Sequence, residues 1–246
     1  MCSIARGISY NGLSMLSIRV RSSYSSFFGK LSELSKSRIV IYTYKLTGSG
    51  YYYVLALSSN SRIGEYVDSI IRQDHILRRS KIVKIEHLSI DDTQIIHGLK
   101  SICEFHKLVE DNKVSLLIPY TFNNGVREYS VIGDHEHLKR YLEAIKKYYG
   151  GDLVEWNWSE RLEASELANY MLKNSVLSIL MDKLTDQEIK VLRAAYYGGY
   201  FNYPKVRRQA DIGEELKISK VTISIHLRKA LKKILSDLIR ISNNMN

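Results

Sequence analysis

At Glu160 the character of this 246-residue chain changes: strand-like runs stop, and helix formers carry the sequence to its end. That division points to an α+β chain, with a sheet-bearing part followed by an all-helical one. We place the boundary near Ser159. Residues 1–159 then form an α/β region, 160–183 a connector helix, and 184–246 a separate helical domain. The connector rests on Leu162, Leu167, Tyr170, Met171, Asn174, Leu177, Leu180, Met181 and Leu184, which fall close to one helical stripe.

Within the first part, Leu13 to Val20 alternates apolar and polar residues, as a half-buried strand does. Phe27, Phe28, Leu31 and Leu34 follow at helical spacing. Arg38–Leu46 and Tyr51–Ser58 are β-rich runs flanking Thr-Gly-Ser-Gly, which reads as a hairpin. Ile63, Tyr66, Val67, Ile70 and Ile71 then give a helix, and Lys81–Leu88 a strand. The order β-α-β-β-α-β is the ferredoxin-like pattern, an antiparallel sheet covered on one side by two helices. Beyond it, Ile95, Leu99, Ile102, Cys103 and His106 line one face of a helix. Val114–Phe122 and Glu128–Ile132 are strands about the turn Asn123-Asn124-Gly125. Leu138, Leu142 and Ile145 mark a helix, and Leu153–Trp158 a last strand. The stretch Arg38–Ile71 recurs at Val114–Ile145, which reads either as two tandem units, 14–90 and 91–159, or as coincidence. The second unit has no evident first strand unless Lys81–Leu88 serves.

Composition narrows the partners. Hydrophobic residues make up 45% of the chain, enough for a real core, and 36 Lys and Arg against 26 Asp and Glu give a net charge of +10. Such an excess favours polyanions, because each neutralised phosphate releases condensed counterions. Two cysteines, Cys2 and Cys103, make no disulfide framework, and no apolar leader follows Arg6, so the expected compartment is the cytoplasm. No apolar run is long enough to span a bilayer, and no membrane partner is expected.

The most specific segment begins at Leu184. Thr185-Asp186-Gln187-Glu188 is a capping box, and Ile189, Leu192, Ala195 and Tyr196 form the buried face of the helix it opens. Gly198-Gly199 ends that helix. A second helix over Gln209–Leu216 buries Ile212 and Leu216. The turn Lys217-Ile218-Ser219 follows, and Ser219 caps a third helix running from Lys220 through Arg228 to about Arg240. Two helices joined by so tight a turn are a DNA-reading device, the second lying in the major groove. With Ile223 and Leu227 turned inward, Lys220, Val221, Thr222, Ser224, Ile225 and Arg228 are left to meet base edges. Lys205, Arg207, Arg208, Ser219 and Lys229 are the expected phosphate contacts. Lys232 and Lys233 read as a solvated face or as further phosphate contacts. From Lys205 to Arg240 ten basic residues face four acidic ones, so six of the ten excess charges lie there.

The elements Leu184-Thr-Asp-Gln-Glu, Val191-Leu-Arg-Ala-Ala-Tyr, Gly199-Tyr-Phe-Asn-Tyr-Pro204 and Ile218-Ser-Lys-Val-Thr-Ile-Ser-Ile-His-Leu-Arg228 resemble the archaeal bacterio-opsin-activator-type helix-turn-helix domain. The resemblance implies an archaeal transcription regulator with double-stranded DNA as its partner. The sequence departs from it at Val221 and Ile225, where polar residues are commoner. The region 1–159 is then expected to sense a small-molecule effector or to support a homodimer. Other readings are blander. His97, Cys103 and His106 lack a fourth ligand and read as packing, so no metal or cofactor is expected. Gly48-Ser49-Gly50 is a turn, lacking the continuation of a phosphate loop. Tyr51, Tyr52 and Tyr53 alternate between a core face and a face that could line a ligand groove. No nucleophile with a paired base appears, so no catalytic residue is named and the chain reads as a non-enzyme. Two rivals remain: an α/β enzyme or ligand-binding protein whose C-terminal helices make only protein contacts, and an RNA-binding protein. The strands lack the Lys/Arg-Gly-Phe-Gly-Phe pattern of the RNA-binding sheet.

Overall fold

In a computed structural model the described residues are 13–46, 50–72, 75, 78, 80–90, 93–160, 162–175 and 183–243. They fall in two compact units, Met1–Ile179 and Leu180–Asn246. In the first, the elements in chain order are β1 (Ser14–Arg21), α1 (Phe27–Ser35), β2 (Ile39–Lys45), β3 (Tyr51–Ser58), α2 (Ile63–Ile71) and β4 (Ile82–Ile90). Then come β5 (Thr93–Ser101), α3 (Glu104–Asp111), β6 (Ser115–Leu116), β7 (Tyr120–Asn123), β8 (Val126–Gly133), α4 (His135–Tyr149), β9 (Val154–Ser159) and α5 (Ala164–Asn174). The sequence therefore holds two successive β-α-β-β-α-β runs, the second opening with β5 and carrying the two-residue strand β6 as an extra.

All strands join one antiparallel sheet in the order β4-β5-β3-β2-β7-β8-β1-β9, with β6 beside β8. Each half has the ferredoxin-like arrangement, third strand between first and second, but the first strands are exchanged. β5 lies between β4 and β3 of the first run, and β1 lies between β8 and β9 of the second. The halves meet where Ile39, Val40 and Ile41 pair with Phe122, Thr121 and Tyr120.

Alternation sets the faces. Leu16, Ile18 and Val20 of β1 and Ile39 and Ile41 of β2 join Phe27, Leu31, Val67, Phe105, Leu138 and Tyr141 from α1 to α4 in one continuous core. Tyr52 points into this side, its hydroxyl donating to Glu110, while Tyr51 and Tyr53 take the other face. On that other face α5 lies over β8 and β1, where the Tyr170 hydroxyl donates to the Leu117 carbonyl at 3.2 Å. A cavity of about 490 Å³ lies there, lined by Ser17, Arg19, Glu128, Asn157, Asn169 and Tyr170 among others.

Two sequence readings are corrected. The stretch from Ile95 to His106 is not one helix: it is strand β5 followed by α3. Its spacing fits both periods, because inward Gln94 and Lys100 break the apolar alternation that would have marked a strand. Val114–Phe122 is not continuous either, since Leu117–Pro119 separates β6 from β7. Most of the Gly48-Ser49-Gly50 turn, together with Leu177, Leu180 and Met181 of the connector stripe, lies outside the described residues.

Candidate nucleic-acid interface

The second unit is built from α6 (Asp186–Tyr197), α7 (Gln209–Leu216) and α8 (Lys220–Asn243). Thr185 opens α6: its hydroxyl accepts from the Glu188 amide at 3.2 Å, and Glu188 Oε2 accepts from the Thr185 amide at 2.8 Å. Val191, Ala195, Ile212, Ile223 and Leu227 form the core, with Leu192, Tyr200, Leu216 and Ile218 packed against it. Each helix contributes one stripe, as its 3.6-residue period requires, but on α6 the stripe includes Val191 and leaves Tyr196, expected inside, exposed.

The segment between α6 and α7 folds back on itself. The amides of Asn202 and Val206 both donate to the Gly199 carbonyl, at 3.2 and 3.1 Å. The Tyr200 hydroxyl accepts from Gln209 at 3.1 Å, and the Lys205 ammonium lies 4.6 Å from the Tyr200 ring centre. Tyr203 stands fully exposed. The Arg208 amide donates to Asp211 at 2.7 Å and starts α7.

The α7–α8 turn is tight. Lys217 adopts the left-handed conformation at φ 55°, and the Ile218 amide donates to the Gly213 carbonyl at 2.9 Å. A Cβ on Gly213 would meet the Ile218 carbonyl oxygen at 2.6 Å, so the two helices close only over a glycine. Ser219 Oγ then accepts from the Thr222 amide at 3.0 Å. The first turn of α8 carries no acidic residue, whereas α6 has Asp186 and Glu188 there and α7 has Asp211. Its positive end is left open to an outside anion.

Each expected site residue can now be placed. Ile223 and Leu227 are buried, and Lys220, Val221, Ile225 and Arg228 are exposed, with Thr222 and Ser224 half-buried between them. These six lie together along the first turns of α8. Lys205, Arg208, Ser219 and Lys229 are exposed as well. Arg207 differs: its guanidinium is 2.5 Å from Glu215 and donates to the Asp211 carbonyl at 3.0 Å, bracing α7. Lys233 is also engaged, donating to Glu188 at 2.6 Å and to the Lys183 carbonyl at 3.0 Å. Burial acts to raise the Glu188 carboxyl, but the hydrogen bonds from Lys233 and the Thr185 amide hold it below the usual carboxylate range. No local sequence signal reveals a pair 45 residues apart.

In the first unit, His97 faces Glu86 at 3.4 Å on one side of the sheet, while Cys103 and His106 meet at 3.2 Å on the other. The three therefore do not converge. The three-residue spacing of Cys103 and His106 already places them on one helix turn; the inward Lys100 that joins them from β5 carries no such signal.

A short helix and a long one meeting at a glycine-tight turn, the long one offering a basic, acid-free N-terminal face, define a helix-turn-helix DNA-binding domain. Residues 184–236 match the family described as HTH DNA binding domain, of bacterio-opsin activator type. The C-terminal unit is thus a DNA-binding domain of that type. No curated protein gives a match to the chain. Among the described residues, no helix is long and apolar enough to cross a membrane.

Proposed function

We propose that the chain is a transcription regulator that reads duplex sequence by placing the first turns of α8 in the major groove. One observation carries the reading. Val221 and Ile225 remain 67% and 47% exposed beside Lys220 and Arg228, directly past a helix start without acidic residues. Exposed branched apolar side chains there suit thymine methyl groups, and the basic ones suit guanine edges. Thr222 and Ser224 complete the base-reading face. Lys205, Arg208, Ser219 and Lys229 hold the phosphates, while Arg207 supports them by bracing α7. Residues 1–159 form the regulatory part, 160–183 the connector and 184–246 the reader. The cavity under α5 offers room for a small effector. A homodimer would supply a second reader, and Leu235, Leu238 and Ile239, each about half exposed on α8, offer an apolar stripe for it.

The test uses a duplex selected from a random-sequence pool and followed by fluorescence anisotropy. Arg228→Ala or Thr222→Ala should cost about 1–3 kcal/mol on the selected duplex and little on unselected DNA. Arg208→Ala should weaken both alike and lower the salt slope by about 1. If the parent and all three variants bind equally, the reading is wrong. The same titration reads stoichiometry: two chains per site support the dimer, and one chain at full affinity removes it.

A further inference from the structure

Beneath the helices of the first unit lies a pocket of about 200 Å³, lined by Ser26, Ser80, Lys81, Lys100, Cys103 and Arg127 among others. Two of these residues are cations taken almost entirely out of water. Lys100 is 8% exposed and Arg127 5%. Arg127 donates to the Tyr149 hydroxyl at 2.9 Å, and its guanidinium carbon lies 4.0 Å from the centre of the Phe105 ring and 4.9 Å from that of Phe122. Its Nε has no hydrogen-bond partner, and among the described residues it makes no ion pair with a carboxylate. Buried charge of one sign needs an anion nearby.

The group placed to supply it is the Cys103 sulfur. Lys100 Nζ donates to it at 3.1 Å, and His106 Nδ1 lies at 3.2 Å. Cys103 is also the N-cap of α3, so its sulfur sits at a helix start. Burial acts to raise the thiol, but the Lys100 charge and the His106 hydrogen bond outweigh it and hold it well below the ordinary thiol range. Burial, then the Lys100 charge, lower His106 and keep it neutral. A neutral ring donating from Nδ1 leaves Nε2 an acceptor, which is buried and without a partner. The other titratable groups around the site are Glu104 and Glu110 on α3, Tyr52 on β3, Tyr120 on β7, Tyr129 on β8, Tyr148 and Tyr149 on α4, and Lys81 before β4.

We propose that Cys103 is a modification site: a thiolate facing a small cationic pocket, oxidised there by a hydroperoxide. The sulfur attacks the outer peroxide oxygen, an S–O bond forms as the O–O bond breaks, and the other oxygen leaves as an alkoxide or hydroxide that takes a proton from water. Sulfur is oxidised to the sulfenic acid, which keeps the hydroperoxide proton, and the peroxide is reduced to the alcohol or water. Lys100 and Arg127 favour the step by facing the negative charge that passes to the leaving oxygen. The pocket, at about 200 Å³, has room for a small reactant. The proposal does not depend on DNA binding, because its readout is the sulfur itself.

The experiment uses the full chain carrying Cys2→Ser, so that Cys103 is the sole thiol. Alkylation by iodoacetamide, followed by mass spectrometry across pH, should be half-maximal well below pH ~8.5, the ordinary cysteine value. Lys100→Met should move that midpoint upward, with circular dichroism checking its fold. Hydrogen peroxide followed by dimedone should label Cys103 about tenfold faster than a free thiol peptide at pH 7. Adding Cys103→Ser should abolish the label. An ordinary midpoint near 8.5 in the parent overturns the thiolate, whatever Lys100→Met does. A low midpoint without a dimedone adduct overturns the hydroperoxide assignment.

Discussion

Glu188 carries two duties that its place in a capping box only half discloses. Its carboxylate caps the start of α6, yet the side chain is buried at 3% exposure and also accepts from Lys233, far along α8. A carboxyl whose folded pKa is depressed stabilises the fold in full above its ordinary range near pH 4.5, and the contribution fades as pH falls through the lower folded value. Lys233→Met should therefore cost the second unit about 1–3 kcal/mol at pH 7, the range for a charged hydrogen bond, because the carboxylate stays buried with only an amide partner. Below pH 4 the gap between parent and variant should narrow. Thermal unfolding from pH 7 to pH 3 tests this, and equal melting of the two proteins at neutral pH would show the pair to be idle. A lysine read from sequence as solvated or phosphate-bound is thus an internal strut.

Among the elements, those with a local chemical signature were legible and those defined by partners were not. Thr185 and Ser219 announce the starts of α6 and α8, because a hydroxyl cap needs only residues three positions apart. The exposure of Lys220, Val221, Ile225 and Arg228 on α8 follows once Ile223 and Leu227 are assigned to the core. By contrast, β5 was hidden by its own neighbours: Lys100 is inward because the Cys103 pocket receives it, and no spacing rule anticipates a buried lysine. The glycine at 213 gave a signal that went unread, a small residue in mid-helix with a tight turn following. Gly213→Ala should destabilise the second unit by about 1–3 kcal/mol, since the new Cβ meets backbone rather than a side chain that can swing away. It should also weaken duplex binding, because α7 and α8 must part to admit the methyl. Calorimetry on the full chain, with anisotropy on the selected duplex, would detect both; an unchanged melt would mean that the turn relaxes freely.

At the scale of the first unit, exchange of β1 and β5 makes the two sequence repeats one folding unit. Cutting the chain between β4 and β5 would leave the slot between β4 and β3 empty in the N-terminal piece. In the C-terminal piece it would leave the slot between β8 and β9 empty. The N-terminal piece cannot simply tuck its own β1 into the vacant place. In that place Gly98 passes so close to β4 that a Cβ would lie 2.1 Å from the Lys84 carbonyl oxygen, and β1 offers no glycine along Ser14–Arg21. Its inward residues Leu16, Ile18 and Val20 are all apolar and branched, whereas the slot accepts polar Gln94 and Lys100 and the glycine at 98. Fragments 1–91 and 92–179, produced separately, should therefore lack a cooperative thermal transition. Mixed or co-expressed, they should form a one-to-one complex that regains it, since each then receives the strand shaped for its vacancy. Circular dichroism melts and sedimentation of the three samples decide the matter. A sharp transition in either fragment alone would mean that the halves are autonomous, and that the exchange reflects chain connectivity rather than side-chain fit.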